Sequence, residues 1–378
     1  MVKKLLIIIL LVLSILPFFS VQASANETDV PDEYVDFMNE LPNDIKELLP
    51  EGLFSSNSNE MLDAAEEISG WDFIFDVLIN LVGINWRDIL KHTAVICSVL
   101  VISSVIRSLK DSVSNEATVK IIELISSVIL VTILIEQSRE PLTKTMQLLE
   151  NIKIFVNTMS PLVCSMYAMG GNVSSALVSN YGLIVFLSIF ENVCILALET
   201  ILGICLALTL ASSFVEDGNL LSISSALKKT FTFIIGFLML VFTTVISTQG
   251  ILASRAESLI TKTTKMLVSQ LIPVVGSTVG ETLKTAGASV EYLRTSIGVV
   301  LIVAFVILIL PTFLNVFLHR LALIISNGIA GLLGCRKEGG VLSEISSIYG
   351  YAIAIISICA IALLFLLTIF AKSSSPLT

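Results

Sequence analysis

The feature that most constrains this chain is a series of apolar runs long enough to cross a lipid bilayer. One of them reads GVVLIVAFVILILPTFLNVF from Gly298 to Phe317. About 20 consecutive apolar residues cross the hydrocarbon core as a helix. Inside lipid each backbone N–H and C=O must be satisfied within the protein, so runs of this length fold as helices. Six such spans are expected, at roughly 89–107, 119–136, 181–212, 230–250, 296–318 and 348–371. The predicted fold class is therefore an all-α polytopic membrane protein. Bulk composition agrees: mean hydropathy is +0.93 and only 14% of residues are charged, against about a quarter in a soluble domain.

The first 25 residues read as a secretory signal peptide. Lys3 and Lys4 precede an apolar stretch from Leu5 to Phe19, and Ala23-Ser24-Ala25 supplies a small-residue cleavage site before Asn26. An uncleaved anchor is the alternative, and either reading leaves residues 26–88 outside the cytoplasm. That segment holds 16 acidic residues against Lys46 and Arg87, a net charge of −14, whereas residues 89–378 carry a net +3. Acidity confined to one short external piece disfavours nucleic acid as a partner and permits a basic protein or solvent. The rest is the membrane domain. Short helices broken by Pro31, Pro42 and Pro50 are expected first. Then WDFIFDVLINLVGINW (71–86) reads as a helix in the membrane interface anchored by Trp71 and Trp86, or as a soluble packed helix.

With the N-terminal segment outside, the connections Arg107–Lys120, Glu216–Lys229 and His319–Lys337 fall in the cytoplasm, where short basic loops belong. The external connections contain two amphipathic helices. In the first, Leu142, Met146, Leu149, Ile152, Val156 and Met159 oppose Thr143, Lys144, Gln147, Glu150, Asn151 and Asn157. In the second, Leu252, Leu259, Ile260, Met266, Leu267 and Leu271 oppose Ser254, Arg255, Ser258, Thr261, Lys262, Lys265 and Ser269. Each is followed by a proline, Pro161 or Pro273, expected to break the helix. Glycines suited to close packing come next, Gly170 and Gly171 in one case, Gly276 and Gly280 in the other. The shared order suggests a degenerate parallel repeat covering roughly 119–214 and 230–318, with chance similarity as the alternative.

Six cysteines avoid the external segment and lack metal-ligand spacing, and two histidines make no cluster by sequence alone. The phosphate-binding loop, the zinc-protease helix and the nucleophile elbow all have recognisable motifs, and none occurs here. No enzyme activity and no cofactor are expected. The chemically notable residues are Glu191 and Glu199 in LIVFLSIFENVCILALETILGICLALTL. A carboxylate at bilayer depth costs several kcal/mol and normally faces protein, water or a partner. Eight residues apart on a helix, the two sit about 80° from one another, close enough to share a polar seam with Asn192. Alternatively the run bends and Glu191 sits at an interface. Gly328, Gly331 and Gly334 make a small-residue ladder that either re-enters the membrane or lies at its surface. His319 beside Arg320 reads as a helix end at the cytoplasmic interface.

Several stretches together resemble one family. They are ISGWDF, STQG at 247–250 with Gln249 and Gly250, ITKTTKMLVSQ, IPVVG at 272–276, and a Gly-Gly pair before the last span. In this order they resemble stage III sporulation protein AE of endospore-forming bacteria. The resemblance implies a polytopic component of the mother-cell membrane around the forespore, within a secretion-like channel assembly. It also implies ring-forming membrane partners and, indirectly, a cytoplasmic ATPase. Gln249, Arg255, Lys262 and Lys265 would then offer a partner-facing surface. A self-sufficient secondary transporter coupled through Glu191 and Glu199 is the competing expectation, and a scaffold without a pore is a third.

Overall fold

The structure, a computed structural model, describes residues 30–68, 70–109, 116–169, 175–214, 222–242, 244 and 276–372. Among these the chain is helical with no strand. The signal-peptide stretch and Gly170, Gly171, Gln249, Gly250, Arg255, Lys262, Lys265 and Pro273 lie outside the described residues. So does most of the second amphipathic stretch, and with it the comparison of the two repeat halves.

Three short helices come first: α1 (Asp32–Glu40), α2 (Asn43–Lys46) and α3 (Ser58–Ile68), with a 3₁₀ turn at Glu51–Phe54. Pro31, Pro42 and Pro50 stand immediately before α1, α2 and the 3₁₀ turn. Proline suits a helix start because its fixed φ is already helical and its missing N–H would have no partner there. Tyr34, Phe37, Met38, Leu53, Met61 and Ile68 are fully buried beneath them. The Tyr34 hydroxyl donates to the Leu53 carbonyl at 3.0 Å. Burial pushes that phenol far above its ordinary pKa.

Long helices follow: α4 (Trp71–Leu109), α5 (Glu116–Met169), α6 (Ser175–Phe214), α7 (Ser222–Phe242), α8 (Gly276–Leu332) and α9 (Arg336–Lys372). Five stretches are long and apolar enough to cross a membrane among the described residues: Ile89–Ile106, Val185–Cys205, Ser222–Phe242, Tyr292–Leu332 and Glu338–Thr368. They answer to five of the six expected spans. The remaining stretch, 119–136, is the first part of α5, and many of its side chains lie outside the described residues.

Where the expectation placed breaks, the helices run on. The 71–86 stretch continues into the following span as one helix of 39 residues instead of lying apart in the interface. Pro161 and Pro141 sit inside the 54-residue α5, so Pro161 does not end it. The 320–332 stretch is neither re-entrant nor a separate surface helix but the last part of the 57-residue α8. The connection expected at His319–Lys337 shrinks to Leu333–Cys335. Here Gly334 takes a φ of 72° and Cys335 N–H donates to the Ala330 carbonyl at 2.8 Å. This left-handed glycine cap satisfies end carbonyls that α8 would otherwise leave bare. Among the described residues Gly328 and Gly331 have no neighbour where a Cβ would sit, so they make no close packing contact there.

At about 1.5 Å per residue α5 and α8 are each about 80 Å long, well over twice the bilayer's hydrocarbon thickness. Exposure differs sharply along α8. Every residue from Ser296 to Phe305 is buried, so this part is enclosed by protein on all sides. Leu321, Ile324, Ile325 and Leu332, by contrast, are exposed. The exposed apolar residues of α8 thus gather in its C-terminal half, and the expected 296–318 lies within the apolar stretch Tyr292–Leu332. The N-terminal half is roofed by the short helices: Phe155 of α5 packs edge-on against Phe37 at 5.2 Å and tilted against Phe305 at 5.4 Å. Thr158 also donates to Glu40 at 2.9 Å.

α8 and α9 form an antiparallel hairpin that closes tightly at its far end. A Cβ added to Gly298 would sit 2.5 Å from Ala371 Cβ and 3.0 Å from its Cα. Backbone cannot yield as a side-chain tip can, so overpacking here costs about 1–3 kcal/mol. Gly298→Ala is expected to lower the melting temperature of the detergent-solubilised protein by several degrees, while Gly328→Ala leaves it within about a degree or raises it. Differential scanning fluorimetry of the two variants checks both.

Candidate functional site

α6 turns Leu187, Phe190, Glu191, Cys194, Leu198, Ile201 and Cys205 inward at spacings of three and four. Glu191 is the odd member. Its side chain is 1% exposed, and neither carboxylate oxygen has a hydrogen-bond partner among the described residues. The nearest cation acting on it is Lys153 of α5. That ammonium donates instead to Asn192 Oδ1 at 2.9 Å, while Asn192 Nδ2 donates to the Ser188 carbonyl at 2.7 Å. The sequence thus located an ionisable group that the fold encloses without a hydrogen-bond partner among the described residues.

Glu199 departs from the expected seam. It is exposed, on the outer side of α6 with Asn192 and Leu196, whereas Glu191 points into the bundle. The two carboxylates do not line one cavity. The physical reason is that Glu191 lies at one edge of the buried face of α6: Leu198, Cys194, Ile201 and Ala197 fall to one side of it and Glu199 falls about 80° to the other. Gly276 begins α8 and Gly280 lies in its first turns.

The fold also assembles polar groups that spacing alone did not reveal. His92 of α4 and His319 of α8 meet with ring centroids 5.0 Å apart, and Tyr349 of α9 stacks on His319 at 6.4 Å. His319 is in mid-helix, 8% exposed, with Nδ1 2.8 Å from the Asn315 carbonyl. It does not mark a helix end. Beside it, Arg320 lies across Gly350, where an added Cβ would be 2.8 Å from the guanidinium carbon. A second node joins α6, α7 and α9: Ser224 contacts Cys205 Sγ at 3.1 Å and donates to Glu344. Lys228 pairs with Glu344 at 2.6 Å, both side chains under a fifth exposed. A third ties α4 to the hairpin through Ser103, which donates to the buried Glu338 at 2.7 Å. The available signal was a polar residue recurring inside apolar runs of separate helices, but only tertiary structure pairs them. Among the described residues no three His, Cys, Asp or Glu side chains stand together as a metal-ligand set.

This long-helix bundle with internal polar nodes can be set against known families. A model of stage III sporulation protein AE matches residues 58–374, most of the chain. The chain belongs to the stage III sporulation protein AE family. No curated protein and no solved structure matches it significantly. The family match begins at α3, includes Glu191 and all three nodes, and joins the membrane fold to the third stage of sporulation.

Two outcomes follow from this geometry. Because neither Glu191 oxygen has a hydrogen-bond partner among the described residues, Glu191→Gln, which keeps the shape and removes the acid, is expected to leave the melting temperature of this sporulation protein unchanged or higher. A fall would show a hidden ion pair. Lys228→Met is expected to destabilise by about 3–5 kcal/mol by stranding Glu344, and adding Glu344→Leu should recover most of the loss. Thermal unfolding in detergent reads both.

Proposed function

We propose that the chain is a non-enzymatic membrane subunit, of export-gate or ring-platform type, in the channel complex connecting mother cell and forespore. The supporting observation is the polar flank of α5 beyond its membrane portion. Thr143, Lys144, Gln147, Glu150 and Asn157 stay exposed, while Leu142, Leu149, Ile152, Val156 and Met159 pack inward against the bundle and its N-terminal roof. A helix that continues well past the lipid with one face uncovered is suited to receiving another protein. In this reading the protein occupies the mother-cell membrane facing the forespore. The N-terminal helices are extracytoplasmic, the partners are ring-forming membrane proteins, and a cytoplasmic ATPase acts at one remove.

The competing transporter reading draws on the enclosed Glu191. It is weakened by Glu199, which does not join Glu191 in a common passage. Gentle detergent purification of a tagged copy from sporulating cells, with mass spectrometry, separates the two. Recovery of ring-forming sporulation proteins supports the channel subunit. Recovery of the protein alone, from cells rich in those proteins, favours the transporter. Single cysteines at Lys144, Gln147, Glu150, Arg255, Lys262 or Lys265 should react with membrane-impermeant maleimide in intact cells whose outer layers have been opened. Cysteines at Leu149 or Val156 should not. Labelling of the first group only by permeant reagents would overturn the topology.

A further inference from the structure

The short N-terminal helices do not seal completely against α5. A cleft of about 100 Å³ lies between the end of α1, with Leu41 and Pro42 just beyond it, and the α5 residues Asn151, Ile154 and Thr158. Its floor is apolar: Phe37, Phe155 and Leu308 line it and are buried. A dry cavity of roughly 150 Å³ takes up benzene, so this one has room for a single aliphatic side chain. Ile154 lines the cleft and is also half-exposed, so apolar surface continues from the cleft onto the uncovered stripe of α5.

Around this apolar patch the charge has one sign. Glu40 lines the cleft, Asp36 stands one turn before it on α1, and Glu150 stands one turn before Ile154 on α5; all three are exposed. One oxygen of Glu40 accepts from Thr158 at 2.9 Å, which holds the carboxylate beside the opening. None of the three acids has an ion-pair partner among the described residues. The cations nearest in sequence, Lys46 and Lys153, donate instead to the Asn39 carbonyl and to Asn192. Residues 30–68 carry eleven acidic side chains and one basic, a net −10, so Lys46 does not reverse the sign.

An apolar slot edged by carboxylates selects an aliphatic group flanked by Lys or Arg. The aliphatic group displaces water from the slot, and the cations answer the carboxylates. A helix supplies that pattern on one face, because residues three and four apart are neighbours. An anionic lipid surface or a nucleic acid would be repelled by the same carboxylates. We propose that the cleft between α1 and α5 seats a basic amphipathic helix of another protein. One Leu, Ile or Val enters the cleft, and Lys or Arg lies over Asp36, Glu40 and Glu150. This rests on the reading that α5 receives a partner outside the membrane, and it adds the chemistry of that partner.

The test places the photo-reactive residue p-benzoylphenylalanine at Ile154 of the full-length protein in sporulating cells. The same group at Glu67 of α3, which does not line the cleft, is the control. Mass spectrometry then reads the peptide joined to each. The Ile154 cross-link is expected to fall on a different protein, at an aliphatic residue with Lys or Arg within one helical turn. Glu40→Lys combined with Glu150→Lys is expected to reduce it at least about tenfold in protein that still elutes as a monodisperse species, with the Glu67 product unchanged. A cross-link to an acidic or uncharged segment, to lipid or to residues 245–275 of this chain overturns the proposal, as does one that survives the charge reversal undiminished. If no Ile154 cross-link forms while tagged purification still recovers ring-forming sporulation proteins, the cleft is not the seat and the channel reading stands. If neither is found, both fall.

Discussion

The α8–α9 hairpin is the constraint on which the other elements depend. Two helices can remain side by side over this length only if their facing residues permit close approach and the chain reverses within a few residues. Gly298 supplies the first against Ala371, and Gly334 supplies the second through its left-handed backbone. Once the hairpin is set, α4 and α5 lie along α8, and α6 and α7 lie along α9. Polar side chains then fix their levels. Ser103 with Glu338, His92 with His319, and Lys228 with Glu344 each join one flanking helix to the hairpin. Apolar packing alone would tolerate sliding, because one Leu or Ile contact resembles the next. A buried hydrogen bond or ion pair does not, since displacement leaves both partners unsatisfied.

The sequence reported helical class and most spans because both rest on local properties, apolarity and length. It misjudged where helices end. Pro161 was expected to stop a helix, yet proline removes one backbone bond and a packed environment can carry the helix through. Likewise the glycines at 328 and 331 looked like a break, but only Gly334 adopts a conformation that ends α8. Hydropathy also could not separate residues shielded by lipid from residues shielded by protein. The stretch 296–310 lies in an apolar run long enough to span, and within it Ser296 to Phe305 are enclosed by other helices.

The polar residues divide along the same lines. Glu191 stood out because a carboxylate in an apolar run is legible without coordinates. Its relation to Glu199 depended on how wide a face α6 buries, which neighbouring helices decide. The histidine pair required two helices that are distant in sequence to meet, and no periodicity encodes that. Family membership adds the biological setting, and the coordinates add which charges the single chain leaves unanswered.

The roof over α8 has a consequence for how the protein is made. Phe37 reaches Phe305 through Phe155, so the first-made helices rest on one of the last. Translation proceeds at roughly 5–20 residues per second, so the N-terminal helices wait on the order of ten seconds or more before their seat exists. During that interval their apolar underside has nothing to pack on. The abundance of exposed acidic side chains on α1 and α3, among them Asp32, Asp36, Glu60 and Asp63, then acts as a solubility tag for an unfinished domain. Completion of the roof therefore requires that synthesis has passed Phe305, so the first helices are among the last to find their packing partners.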